Sequence, residues 1–579
     1  MKVNKLAKKS KQLIKSIPAG IMRASENGRQ GRIANTASDS GNPKPSVTIV
    51  YLPVAGARND SSISAASGAG ELRIDGSASI DEINKSLMSA KSDYLVFING
   101  IVSGSESCIY NLIAGFDNAK DTCIIGGRSY YSSDSPLSRA NLIKQEGILL
   151  SYTKKKNNVP VYKLNEKGHL NLTWSKGSSF EEMEVPSTDI LAISTEHFKE
   201  LGGFATYYHT DSFMQVLTDL CLMATAKGYK NHLSLEVSVA VKYEAARLNA
   251  SFNASVFRGR WYRFLRDKEK GHSSLPELNG KEIDILGSMP DDERLKSWGD
   301  YHYSVALKNS LIKHGYKVNI VTKEHWYDKS SAKYVIVLRG LYPYYRPATG
   351  DNKKVLYWII SHPENIETAE LTQPDHIFYA SEKLREHFGS ELSVPSGVLP
   401  QCTDPEVMKR SGKSTLSPEL LFVGNSRKVY RRILKDLLPT DHELKIYGKD
   451  WDEFEDVKKY VVSNYLDNNI VADAYHNAAI LLNDHWDDMR EFGIISNRIF
   501  DALCASAFVI SDEVAGIHDV LGDAVVTYKD PEDLKAKVDY YLSNPDARNE
   551  IAQKGQEIVI KNHTFDNRAD EIVKIIEQI

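Results

Sequence analysis

Residues 420–432, LLFVGNSRKVYRR, gather Arg427, Lys428, Arg431 and Arg432 immediately after an apolar run and a Gly424-Asn425 pair. The apolar run reads as a buried strand, the Gly-Asn pair as a turn, and the residues beyond as the start of a helix. Glycine permits close backbone approach, and a helix start offers free N–H groups to an anion. A guanidinium fork suits a diphosphate. The same spacing also fits a plain strand–turn–helix with a solvated basic face, and spacing alone leaves both readings open. A second stretch, residues 483–512, NDHWDDMREFGIISNRIFDALCASAFVISD, sets Glu491 in a polar loop and Asp501 on the helix that follows. A carboxylate there can accept hydrogen bonds from two hydroxyls at once. His362, in SHPEN after the apolar YWII, reads as a site residue; His302, in WGDYHYSV, is a lone histidine that reads more readily as a satisfied core residue than as a site residue.

The elements that must position these groups come in three blocks. From Val47 to about Ala250, strand-like runs (VTIVYLPV, DYLVFI, TCIIGG) alternate with helical ones (SIDEINKSLMSA, ESCIYNLIAGF). That alternation predicts an α/β layer with a largely parallel sheet. Residues 251–280 hold an aromatic, basic helix and a hinge. From Lys281 the alternation restarts (EIDILGS, KVNIVT, YVIVLRG, KVLYWII), and a third unit begins near Glu419 (ELLFVGN, ELKIYG, AAILLND, FVISD). Two successive doubly wound sheets predict a cleft with its ligand at the carboxyl ends of the strands.

The chain has 579 residues, too many for one core, so two or three domains are expected. A net charge of −4 gives no basic field for nucleic acid. Five cysteines, at 108, 123, 221, 402 and 504, form no CxxC pair, which excludes a zinc or disulfide framework on spacing and fits a reducing, cytoplasmic compartment. No apolar run is long enough to span a bilayer, and no secretory h-region is present. Residues 1–23 set Leu6, Leu13, Ile14 and Ile17 among six lysines at near-helical spacing. This pattern fits a basic amphipathic helix on an anionic membrane surface, or a solvated tail. Residues 24–46 are rich in Ser, Asn, Gly and Pro and read as a linker.

The order of phrases over 281–579 (WGDYHYSVALKNSLIKHGYKV, YWIISHPENI, DHIFYASEKLREHFG, FVGNSR, IYGKDW and EFGIISNRIFDALCA) resembles family 4 and related GT-B glycosyltransferases. The likeness is to the glycosyl transferases group 1 branch, which includes spore-maturation-type proteins and bacterial surface-polysaccharide rhamnosyltransferases. The resemblance implies a GT-B fold of two doubly wound Rossmann-like domains, 281–410 on the acceptor side and 411–579 holding a nucleotide-sugar donor. It implies that Asp501 binds the nucleotide ribose and that Glu491 contacts the donor sugar. The interval between the two is longer than the family's, so Asn497 or its backbone fills part of the second role. Arg427 and Arg431, with Gly424 and Asn425, match the diphosphate site, and Tyr447-Gly448 the turn under the nucleobase. Gly299, Asp300 and His302 match an acceptor-side loop, and His362 the loop after YWIIS. The resemblance further implies that no metal or other cofactor is required, that configuration is retained, and that the acceptor is a growing surface polysaccharide or a lipid-linked glycan.

Residues 47–250 resemble a family 2 GT-A-like Rossmann-type domain, through AKSDYLVFINGIV, STDILAISTEHFKELGGFATYY and TDLCLMATAKGYKNHL. Asn99 and Ile101 stand where that family's metal-binding aspartates belong, and Val216 and Leu217 where Glu-Asp belongs, leaving Asp219. Lys242 could replace a metal's charge, and Asp211 could supply a carboxylate. An inactive first module is the economical expectation. A bifunctional enzyme with both modules active and a non-catalytic glycan-binding scaffold are the alternatives.

Overall fold

The computed structural model describes residues 45–53, 61–63, 69–104, 106–118, 121–131, 143–145, 147–154, 160–167, 179–210, 213–241, 250–270, 275–350, 352–390 and 392–579. The amphipathic helix expected over 1–23, the linker up to residue 44, Asp211 and Lys242 lie outside the described residues. The chain divides into two compact units. One is Met1–Glu269 with Pro347–Thr349; the other is Lys270–Arg346 with Gly350–Ile579. Among the described residues no helix is long and apolar enough to cross a membrane.

The first unit is built on strands β1 (Val47–Tyr51), β2 (Ser62–Ile63), β3 (Gly70–Arg73), β4 (Tyr94–Ile98), β5 (Val102–Gly104), β6 (Thr122–Tyr131) and β7 (Ile143–Gln145). After a separate hairpin of β8 (Gly147–Lys154) and β9 (Pro160–Lys167) come β10 (Phe180–Glu182), β11 (Ile190–Ser194) and β12 (Lys230–Val241). The main sheet runs β2-β5-β12-β6-β11-β4-β1-β3, with β10 on β12 and β7 on β6. β3, β1 and β4 are parallel, but β11 lies antiparallel between β4 and β6. The sheet is therefore mixed, where the sequence predicts a largely parallel one. The physical reason is that an apolar run such as Ile190–Ile193, fully buried, reports coverage of both faces and not the direction of its neighbours.

The second unit holds two parallel six-stranded sheets. β13 (Asn279–Leu286), β14 (Lys317–Val321), β15 (Ala332–Arg339), β16 (Lys354–Ile359), β17 (His376–Tyr379) and β18 (Ser396–Val398) are ordered β14-β13-β15-β16-β17-β18. β19 (Leu420–Val423), β20 (Leu444–Tyr447), β21 (Val461–Ser463), β22 (Ile480–Asn483), β23 (Val509–Asp512) and β24 (Val526–Tyr528) are ordered β21-β20-β19-β22-β23-β24. In the latter sheet the strand order reverses at β19 and β22, so the connections leave their carboxyl ends in opposite directions and open a crevice there. The chain returns to the former sheet through the helix Phe565–Ile576, whose Phe565, Ile572 and Ile576 share a core with Tyr303, Leu307 and Leu311.

The floor of the crevice is a contact between two backbones. Gly424 N–H donates to the Tyr447 carbonyl at 2.8 Å. Gly448 sits at φ +148°, and a Cβ there would lie 2.1 Å from the Gly424 oxygen. Gly448→Ala therefore meets both backbone strain and a clash. Strain of this kind costs about 1–3 kcal/mol, and the clash adds to it. The expected outcome is a lower melting temperature in calorimetry together with loss of any ligand held by the Gly424 turn; an unchanged melting temperature would contradict the packing.

Candidate functional site

A cavity of about 890 Å³ opens at the carboxyl ends of β19, β20 and β21. Of the site residues singled out in the sequence, Gly299, His302, Gly424, Asn425, Arg427, Arg431, Tyr447, Gly448, Asn497 and Asp501 line it; Asp300, Glu491 and His362 do not. Gly299, Asp300 and His302, expected in a loop, lie instead in the first turn of the helix Gly299–Lys313. His302 is exposed there, with its ring Nε2–H donating to the Lys296 carbonyl at 2.9 Å.

The turn after β19 is held by Ser426, whose N–H donates to the Lys449 carbonyl, while Asn425 Oδ1 accepts from Lys449 N–H at 2.8 Å. Arg427 and Lys428 take φ of +51° and +63°, an uncommon region for side-chain-bearing residues. Arg427 is exposed, and its guanidinium lies 5.1 Å from the Trp486 ring. Among the described residues it makes no ion pair or hydrogen bond. Arg431 differs. It is 3% exposed, paired with Asp484 through Nε at 3.1 Å and through Nη2, and stacked 4.1 Å over Trp486. The next helix, Arg432–Leu437, is only six residues long, and its Ile433 N–H already faces Asp484 at 3.4 Å. The expected free helix start is thus internally satisfied.

On the opposite wall, the helix Asn497–Cys504 presents Asp501 and Asn497. Thr403 Oγ1 donates to Asp501 Oδ1 at 2.6 Å and Asn497 Nδ2 to Oδ2 at 2.8 Å. Burial, and then the charge of Asp404, push the Asp501 carboxyl up to about 7, against the pull of Thr403, Arg498 and Asn497. Asn497 Oδ1 is buried with no partner, an acceptor at the cavity wall. Arg498, which the sequence reading passed over, also lines the cavity and donates to Asn483 Oδ1 at 2.8 Å. Its signal was its place one residue after Asn497 in the turn that starts the helix.

Glu491 is exposed at the last residue of the helix Asp487–Glu491. Asp488, one turn earlier, faces Glu364 and His362. His362 takes a left-handed φ of +53° at the start of a short 3-10 turn. Burial first, then the charge of Arg427, hold its imidazole below the usual histidine range. His362 and Arg427 are thus electrostatic neighbours, although His362 lies outside the cavity wall. Glu364 and Asp488 gave no sequence signal beyond lying in polar loops.

In the first unit, the resemblance to GT-A proteins implies Mg²⁺ or Mn²⁺. Asp219 Oδ1 there accepts from Arg260 Nε at 2.7 Å, Tyr208 Oη at 2.9 Å and Trp261 Nε1 at 2.5 Å. Asn99 is buried with Nδ2 unpartnered, and it offers a neutral amide oxygen where the resemblance implies a carboxylate. These residues do not fit a divalent cation. Among the described residues of the chain, no group of three or more His, Cys, Asp or Glu is placed to hold a metal ion.

Residues 427–574 match the family model described as Glycosyl transferase-like, a segment that begins at Arg427 itself and takes in Asp501. The match supports transferase activity for the chain. No curated protein matches it. Solved structures similar to the chain include sucrose-phosphate synthase from Thermosynechococcus elongatus, with 11% identity, TM-score 0.39, and coverage of 52% of this chain and 98% of that one. AviGT4, a glycosyltransferase involved in avilamycin A biosynthesis, gives 13%, 0.38, 51% and 97%. A glycosyltransferase from Rickettsia africae ESF-5 gives 12%, 0.38, 52% and 99%.

The raised Asp501 carboxyl has a stability consequence with a definite sign. The folded state keeps its proton to a higher pH than the unfolded state, so stability falls as pH rises from about 4 to about 7. Asp501→Asn removes that titration. The variant is expected to melt above the wild type at pH 8, with the advantage shrinking toward pH 4–5, measured by calorimetry across that range. An advantage that grows at low pH would show the opposite linkage.

Proposed function

We propose that the protein is a glycosyltransferase that moves a sugar from a nucleotide-sugar donor to a growing cell-surface polysaccharide or lipid-linked glycan. In this reading the second unit is a GT-B catalytic module and the first a GT-A-like module without catalysis, which positions acceptor or enzyme. The observation that carries the reading is Arg427. It is a guanidinium held in a left-handed turn at the cavity, stacked near Trp486, with no anion beside it among the described residues.

In the transfer, the bond from the sugar's anomeric carbon to the β-phosphate oxygen breaks, and its electron pair leaves with the diphosphate. Arg427 neutralises that growing charge, with the Gly424-Asn425 turn alongside. Arg431 supports it from below and can add its remaining N–H. The acceptor hydroxyl attacks on the face the diphosphate leaves, and its proton passes to a phosphate oxygen, so configuration is retained and no side-chain nucleophile is needed. Asp501 accepts from the ribose hydroxyls, the orphaned Asn497 Oδ1 offers a third acceptor, and the Tyr447-Gly448 turn carries the base. His302 and His362 stand on the acceptor side. Glu491 keeps a donor-sugar role only if its helix shifts, because it lies outside the cavity wall. The lysine-rich residues 1–23 would hold the enzyme peripherally on the inner, anionic face of the membrane.

Charge on the leaving group is neutralised here by a fixed side chain, and loss of one such donor costs about a hundredfold or more in rate. Nucleotide release from a panel of nucleotide sugars is therefore expected to survive EDTA and Asn99→Ala and to fall by about that factor in Arg427→Ala. Release that stops in EDTA but tolerates Arg427→Ala would refute the proposal. Loss in EDTA of one of two linkages would mark a bifunctional enzyme, and glycan binding with no turnover of any donor a scaffold.

A further inference from the structure

Gly424 has no need to be a glycine on backbone grounds, since its φ is not left-handed. What it provides is space: a Cβ there would lie 3.0 Å from Arg498 Nη2 and 3.2 Å from the Phe422 ring. Arg498 belongs to the first turn of the helix Asn497–Cys504 and reaches across to the turn after β19. A line of hydrogen bonds holds it there. Ser511 Oγ donates to Asp512 Oδ1 at 3.2 Å, and Asn483 Nδ2 donates to Ser511 Oγ at 3.0 Å. With its amide nitrogen so engaged, Asn483 turns Oδ1 to Arg498 Nη1, 2.8 Å away. A guanidinium carries five N–H groups. Among the described residues Arg498 gives one of them to Asn483 and makes no other hydrogen bond and no ion pair.

Three arginines meet around this turn, and they differ in how their charge is met. Arg431 has Asp484. Arg427 and Arg498 line the cavity, and among the described residues neither is paired with a carboxylate. The groups facing Arg498 do not supply one. Arg431 is a like charge, and Asp484 is engaged by it. Tyr475 is pushed up to about 12 by burial and stays neutral. Asp501 is already hydrogen-bonded by Thr403 and Asn497 and holds its proton up to about 7. Burial pulls the Arg498 guanidinium below the usual arginine range. Taking such a charge out of water is costly until an anion joins it.

We propose that Arg498 binds the donor's diphosphate alongside Arg427, its Nη2 edge entering the cavity through the space left by Gly424 and its position set by Asn483. This role rests on the diphosphate reading of the cavity and adds to it a count of charge: two unpaired guanidinium groups at one cavity match a dianion. The edge of a guanidinium suits phosphate oxygens in pairs. Asn483 is then a positioning residue, since it does not line the cavity and acts through Arg498.

Calorimetry of the full-length protein with inorganic pyrophosphate, and with inorganic phosphate at matched ionic strength, tests this without a sugar donor. A ligand that binds the folded state raises the melting temperature with its concentration. Pyrophosphate is expected to stabilise the wild type more than phosphate does. Its apparent affinity is expected to fall by about tenfold or more in Arg498→Met. Arg498→Lys, which keeps the charge without the fork, is expected to recover part of that loss. Asn483→Asp keeps the shape of the site and gives Arg498 a carboxylate of its own, so it too is expected to weaken pyrophosphate binding. Full stabilisation by pyrophosphate in Arg498→Met, or in Asn483→Asp where Arg498→Met does not fold, together with its loss in Arg427→Ala, overturns this role and leaves the diphosphate reading in place. A wild type stabilised by neither pyrophosphate nor any nucleoside diphosphate overturns both. Pyrophosphate binding that depends on Arg498, in a protein that turns over no nucleotide sugar, leaves this role standing and removes the transferase reading alone.

Discussion

The cavity of the second unit depends on a guanidinium that is neutralised before any ligand arrives. Arg431, at the start of the helix after β19, and Asp484, just past β22, are both almost completely buried and bind one another through two nitrogens. They bridge the two strands at which the sheet order reverses, where the backbone connections diverge. Removing water from both charges is expensive, and the pair is stable only because its geometry and extra hydrogen bonds satisfy it; Arg431 Nη2 also donates to the Asp484 carbonyl at 2.9 Å. Loss of one partner of such a pair costs about 3–5 kcal/mol. Its structural product is a fixed Trp486, on which a second arginine rests. One arginine builds the wall; the other, Arg427, lines the cavity without an ion partner among the described residues.

The same economy of polar groups fixes the start of the Asp501 helix. His485 Nε2 accepts from the Ser496 N–H at 3.0 Å, so Nδ1 carries the proton and donates to Asp512 at 2.7 Å. That bond, with the two His485 backbone contacts, holds the Asp512 carboxyl below its usual range against its burial. A neutral imidazole thus joins the end of β23 to the turn before the helix, and the first residues of that helix, Asn497 and Arg498, are delivered to the cavity wall. Thr403, from the crossing segment after β18, completes the arrangement by hydrogen-bonding Asp501 and pairing through its backbone with His563 and Phe565. The C-terminal helix therefore fixes not only the core behind β13–β18 but also the partner of the cavity carboxylate.

Much of this was legible in the sequence for a local reason. Gly424-Asn425, Tyr447-Gly448 and the Asn497–Asp501 helix start are defined within a few residues by turn and helix chemistry, and each falls on the cavity wall. What was not legible depends on pairing at long range. Arg427 and Arg431 look alike in sequence, four residues apart, and only the position of Asp484, more than fifty residues on, separates the free one from the buried one. Glu491 stands out in the sequence because it precedes the Phe-Gly turn, yet helix Asp487–Glu491 turns Asp488 inward and leaves Glu491 in solvent. The direction of β11 in the first unit was hidden for the same reason: a strand's residues report its burial, and its partner's residues decide its direction.

Asp219 and Asp501 make the contrast between the two units concrete. Both are carboxylates on helices beside the carboxyl ends of a sheet. Asp219 is closed off by three donors on one oxygen, among them the fixed fork of Arg260, which Tyr207 also holds through its hydroxyl at 2.7 Å. Freeing it for a cation would expose a buried guanidinium with no counterion, so the residue is committed to structure. Asp501 has one short donor on each oxygen, a raised affinity for its proton and a cavity in front of it. Its remaining lone pairs are open to hydroxyl groups, and its neighbour Asn497 leaves a buried oxygen unsatisfied beside it. Asp219 is thus spent on its own neighbours, whereas Asp501 keeps lone pairs open toward a cavity, a contrast between the two carboxylates that the shared α/β architecture alone does not make.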